Sequence, residues 1–152
     1  MKGQPFLFAI VFSAVGALCM PAEAKLNCRV VEAAGNSIKD DIRTKLNGHM
    51  AGHQQKINRR KKLRVNRIER VWFEGCRVKI QANVTLKRKI RRNAHGYIVM
   101  SSLVTGLTPD NVCVAKAKVH KVRLSRTLRI GERIYRRVAN RTIPGHVQCY
   151  PR

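Results

Sequence analysis

The run from Cys76 to Lys87 alternates without a break. Cys76, Val78, Ile80, Ala82, Val84 and Leu86 interleave with Arg77, Lys79, Gln81, Asn83, Thr85 and Lys87. Successive side chains of a strand point to opposite faces, so a period of two commits this segment to a strand with one apolar face and one wet, cationic face. Such a strand is stable only inside a sheet, and the sequence around it offers neighbours. Leu63–Phe73 reads as a strand, with Glu74-Gly75 as turn or bulge. Tyr97–Thr105, Val112–Leu124 and Leu128–Val138 read as three more, separated by a turn over Arg91–Gly96 and a Pro-containing loop over Leu107–Asn111. Long strands joined in order by short turns predict an antiparallel meander.

Ahead of the strands the period is different. Ala34, Ile38, Ile42, Leu46 and Met50 recur every four residues, while Lys39, Asp40, Arg43 and Lys45 fall off that stripe. This predicts one long amphipathic helix from Ala33 to Asn58, with Asp40 and Asp41 suiting its positive end and Gly48 and Gly52 weakening its second half. The expected fold is therefore α+β, with one long helix packed on a four- to five-stranded antiparallel meander sheet. Over about residues 30–140 this arrangement resembles the cystatin-like architecture. The inhibitory motif of that fold, Gln-x-Val-x-Gly in a hairpin, is missing, and Trp72 lies in a strand instead of a Pro-Trp loop. Cysteine-protease inhibition is therefore not carried over.

The chain opens on Lys2, an uncharged and mostly apolar run from Phe6 to Met20, then Pro21 and Ala22-Glu23-Ala24. These features predict an export signal over residues 1–24, too short to serve as a membrane span, and a single mature domain over 25–152 with no transmembrane segment. Cys19 leaves with the signal. Cys28, Cys76, Cys113 and Cys149 remain, and four cysteines in an exported domain predict two disulfides. Sequence alone admits three pairings; the expectation here is Cys28 with Cys149 and Cys76 with Cys113. No close Cys-x-x-Cys pair initiates a zinc site.

Charge bounds the partner. With Lys+Arg 32 against Asp+Glu 8 the formal net charge is +24. The basic residues concentrate in three stretches. One holds Arg59, Arg60, Lys61, Lys62 and Arg64. The second holds Lys87, Arg88, Lys89, Arg91 and Arg92, with Ile90 alone among them. The third runs through Lys116, Lys118, Lys121 and Arg123 towards Arg126 and Arg129. Arg77 and Lys79 add to the wet face of the central strand. Like charges on neighbouring strands repel, so an anionic partner is expected to relieve them. Outside the cytoplasm such partners are lipopolysaccharide or anionic lipid, acidic polysaccharide, and nucleic acid bound without sequence specificity. Few aromatics interleave with the basic groups, which argues against reading of single strands. The function expected is that of a secreted or periplasmic monomeric binding protein, antimicrobial or envelope-associated, with no cofactor and no metal.

Enzymatic alternatives have thinner support. His49 and His53 would share one helical face as two metal ligands, with His95 or His120 as a third. His120 between Lys118 and Lys121, partnered by His49, His53 or His146, is the best candidate for a secreted ribonuclease-like enzyme, but no motif names a catalytic residue. A further alternative is an inhibitor or interaction protein for an acidic partner. Asn83-Val84-Thr85 and Asn140-Arg141-Thr142 are glycosylation sequons in a eukaryotic source.

Overall fold

A computed structural model describes residues 27–142 and 147–151. The predicted export segment, Cys19 and His146 lie outside the described residues. Two helices, α1 (Cys28–Ser37) and α2 (Lys39–Met50), precede five strands: β1 (Gln54–Asn58), β2 (Lys61–Glu74), β3 (Arg77–Arg88), β4 (Ala94–Leu107) and β5 (Asn111–Leu124). A third helix, α3 (Arg129–Thr142), and a short strand, β6 (Gln148–Pro151), follow. The strands form one six-stranded antiparallel sheet in the order β1-β2-β3-β4-β5-β6.

β2 to β5 follow one another as antiparallel neighbours, and β3 has the alternation read from its sequence: Val78, Ile80, Ala82, Val84 and Leu86 are buried. On β2 the buried residues are Val65, Ile68, Val71 and Phe73, a spacing that strict alternation cannot place on one face. Register shifts between Val65/Arg67 and Ile68/Arg70 absorb the extra residues and bring the apolar side chains back to the core. Three similar shifts separate β4 from β5, where Lys116 takes a positive φ of 50°. Each bulge also bends its strand and increases the twist, which curls the sheet. Ile42, Leu46, Tyr135 and Ala139 of the helices then pack against the buried cluster on the inner face.

The expected single long helix is overturned. The molecule is mostly sheet with three short helices and no long helix laid across it, so the α+β, cystatin-like expectation is replaced by a curled six-stranded sheet. The stripe Ala34–Met50 is interrupted at Ser37 and Ile38, where Ile38 N–H bonds to Gly35 O and Ser37 Oγ donates to Ala34 O, a back-bonding that bends helices. Residues 54–58, expected as the end of the helix, form β1. The expected fifth strand Leu128–Val138 is helical and belongs to α3.

What these helices do is seal the open edges of the sheet. Beyond its short pairing with β1, the outer edge of β2 has no strand beside it among the described residues, and Asn36 and Asn47 take that place. Asn47 accepts from Ile68 N–H at 2.5 Å and donates to Ile68 O at 3.1 Å. Asn36 does the same to Phe73, at 3.1 and 3.2 Å. Asn36 lies near the end of α1 and Asn47 in α2, so each helix fastens its own stretch of the β2 edge. Gly35 permits the close approach, because a Cβ there would overlap the Phe73 ring. On β5, which β6 covers only along 111–114, Asn140 pairs with both the N–H and C=O of Val119. Glu132 accepts from Leu124 N–H and Arg136 donates to His120 O.

Two disulfides are present, but their pairing corrects the expectation. Cys28 bonds to Cys76, tying the start of α1 to the β2–β3 turn, and Cys113 bonds to Cys149 between β5 and β6. Cys76 precedes β3 whereas Cys113 lies on β5. Two strand spacings, roughly 9–10 Å, separate them, beyond the reach of a disulfide. The two bridges fit an oxidising, extracellular-type environment. Among the described residues no helix is long and apolar enough to cross a membrane.

Candidate anion-binding surface

An antiparallel meander places alternate turns at the same end of the sheet. Here the β1–β2 turn, the β3–β4 turn and the β5–α3 turn share one end; the first two carry the densest basic segments and the third adds Arg126 and Arg129. Within 57–68, 87–95 and 124–131 there is no Asp or Glu. The other end holds both disulfides together with Glu74 and Asp110.

The register stacks like charges. Lys56 lies opposite Lys62, and Lys62 opposite Lys87, so three lysines form a row across three strands. Lys61 lies opposite Arg88. Asn58 Oδ1 accepts from Arg60 N–H and closes the first turn, and Lys89 N–H bonds to Arg60 O, joining that turn to the second. Arg88 then donates to Thr127 Oγ1 at 2.7 Å, and Arg126 to Asn93 O at 3.4 Å, joining the second turn to the third. Arg59, Arg60, Lys61, Lys62, Lys87, Arg88, Lys89, Arg91 and Arg92 thus meet at one end, with Arg64 two residues further down β2.

The remaining expected residues do not join them. Arg77 lies opposite Glu74 and Leu103, and Lys79 opposite Trp72 and Ser101 with an ion pair to Glu74. The expected sheet of cations on the face of β3 is broken here by acid and neutral partners. Glu74 is held below the ordinary carboxylate range by hydrogen bonds from Lys79 and from the Trp72 indole. Lys116 sits at a bulge of β5, and Lys118 lies opposite Ser101. Lys121 lies over the Tyr97 ring, 5.5 Å from its centre, and Arg123 pairs with Glu132 at 3.2 Å. Across the described residues the ion pairs are Arg43–Asp40, Arg67–Glu69, Lys79–Glu74 and Arg123–Glu132. None involves the residues of the three basic turns.

The sequence reading missed a cleft. Between β5 and α3, His120, Lys121 and Arg123 face Arg129, Arg133 and Arg136 across a space of about 360 Å³, with Glu132 as its acid. It exists because Leu128–Val138 is helical; the spacing of Glu132, Arg136 and Asn140 by four was the signal available in the sequence. His120 hydrogen-bonds Ser101 Oγ at 2.5 Å. Burial, then Lys118, Lys79, Arg77 and Arg136, hold its imidazole below the ordinary histidine value. It is the imidazole lining this cleft among the described residues.

Other candidates resolve differently. α2 ends at Met50, so His49 and His53 do not share a helical face. His95 hydrogen-bonds Thr85. Both sequon asparagines are engaged by the fold: Asn83 with Asn66 and Glu69, Asn140 with Val119. Ile98 and Met100 are core residues.

No protein-family model matches the chain, no curated protein matches it, and no solved structure matches it.

Proposed function

We propose that this chain is an exported, cationic binding protein that adsorbs to polyanions through the end of the sheet where the three basic turns meet. The observation that carries the reading is the row Lys56–Lys62–Lys87 in a region without an acidic residue, while Lys61 and Arg88 on the other face are held by Tyr135 and Thr127. Like charges directly opposed on neighbouring strands are destabilising, and a bound polyanion removes the repulsion. Arginine adds bidentate contacts to phosphate or sulfate. The disulfides and the apolar N-terminal run with its Ala22-Glu23-Ala24 site support export to the cell exterior or periplasm. Recognition is electrostatic and independent of sequence, with no turnover.

A DNA duplex of arbitrary sequence serves as a ruler for the charge involved. Its affinity should fall linearly on a double logarithmic plot against salt. The triple variant Arg59→Gln/Arg91→Gln/Arg92→Gln should reduce that slope by about one per contact removed. The control Arg29→Gln/Lys39→Gln/Lys45→Gln, which removes the same charge from α1 and α2, should change it little. Equal effects of the two triples would reduce the interaction to net charge and remove the assigned surface. Salt-indifferent binding would remove the mechanism.

A further inference from the structure

The cationic end also exposes hydrocarbon, and electrostatics does not account for that. Among the described residues seven large apolar side chains are exposed, and five of them belong to the β3–β4 turn or to α3 and its approach. Ile90 is 77% exposed, Leu128 81%, Ile130 69% and Ile134 54%. Single exposed aliphatics are ordinary on any protein surface, but a group gathered on adjoining turns is not. Ile90 and Leu128 lie on the turns that Arg88, Arg126 and Asn93 bolt together. Along α3, Ile130, Ile134 and Val138 recur every four residues on the side away from β5, because Glu132, Arg136 and Asn140 occupy the side that grips the strand. Arg133, Arg137 and Arg141 border that stripe.

We infer that this end docks on an anionic phospholipid bilayer, with Ile90, Leu128 and Ile130 entering the boundary between headgroups and acyl chains and the surrounding arginines held at the phosphates. The inference rests on the polyanion reading above and narrows it to one partner. A nucleic acid or sulfated glycan satisfies the cations but offers nothing to bare isoleucines and leucines, whereas a bilayer answers both. At the start of α3, Ile130 is exposed with Arg129 beside it and Arg133 one turn on, an arrangement that places an apolar side chain in the interface and keeps the cations at the headgroups. Anionic leaflets attract basic groups, and long arginine side chains reach headgroups while their stems stay apolar. The charge at this end is complementary to such a leaflet throughout, since no carboxylate of the three turns opposes contact.

The full chain should be sedimented with vesicles of phosphatidylglycerol and phosphatidylcholine, and separately titrated with heparin, at low and high salt. Wild type should bind both, and vesicle binding should survive high salt better than heparin binding. Ile90→Ser/Leu128→Ser should lower vesicle partitioning about tenfold or more and leave heparin binding unchanged, with an unaltered thermal melt showing that the variant is folded. In a Trp72→Phe background, the indole of Ile90→Trp should shift its emission to the blue on vesicles and not on heparin. Wild-type vesicle binding by the serine variant, an unshifted indole, or heparin binding without vesicle binding would overturn the membrane inference and leave the polyanion reading in place. Binding to neither would overturn both.

Discussion

Asn140 pairs with Val119 as a second strand would: its Oδ1 accepts from the Val119 N–H at 2.6 Å and its Nδ2 donates to the Val119 carbonyl at 3.0 Å. Asn47 with Ile68 and Asn36 with Phe73 repeat the arrangement on the opposite edge. The side-chain amide of asparagine, like that of glutamine, presents a donor and an acceptor in the layout of a peptide unit. Unpaired strand edges are templates for association, so sealing them with helices also limits edge-to-edge aggregation.

Asn47→Ala and Asn140→Ala should therefore each cost about 2 kcal/mol, as two partly buried backbone groups lose their partners. Asp at either position should recover part of the loss, because it accepts from the N–H but cannot donate to the carbonyl at neutral pH. Urea denaturation of the four variants checks the order wild type, Asp, Ala.

Gly35→Ala reverses the usual helix rule. In an exposed helix interior Ala is favoured over Gly by about 1 kcal/mol. Here the added methyl meets the Phe73 ring, so the variant should be less stable than wild type. Gly96→Ala should be worse, since the neighbour it meets is the backbone carbonyl of Arg123. Thermal melts of both variants settle the sign.

Proteolytic mapping without reduction should recover Cys28 joined to Cys76 and Cys113 joined to Cys149. Replacing Cys28 and Cys76 together by Ala, which opens a loop closed over 48 residues, should cost about 4 kcal/mol in the chain-entropy account. A recovered Cys76–Cys113 peptide would contradict the sheet order.

His120 should titrate below the ordinary histidine value of about 6.5. Because its folded value is depressed, the unfolded chain binds the proton more readily. Its contribution to stability is therefore present above about pH 6.5 and is lost as pH falls below it. His120→Gln should flatten that part of the stability profile, and in NMR titration Lys118→Gln should move the imidazole upward. A wild-type value at or above 6.5 contradicts the environment described.

How much of this was legible depends on how local the cause is. The alternation at Val78–Leu86 placed β3 and its faces, because side-chain parity is set residue by residue. The irregular spacing of Val65, Ile68 and Val71 already implied that β2 could not be a regular strand, yet only pairing with β3 locates the bulges. At Leu128–Val138 alternation was the weaker signal: Glu132 and Arg136 fall at positions a buried strand face would fill with apolar residues. Ile130, Ile134 and Val138 carried the helical period. The helix expected through residue 58 failed because a stripe of apolar residues records a period and not its end. Gly35, Ser37 and the neighbourhood of Phe73 break it.

The sequence by itself determined the excess of cations and the consecutive pairing of the strands between Leu63 and Leu124, since composition and nearest-neighbour turns need no distant contacts. Tertiary structure decided which cysteines meet, which basic stretches converge, and which side of α3 grips β5. Those outcomes depend on distances between residues far apart in the chain, set by bulges that curl the sheet and by three asparagines that fasten helices to its edges.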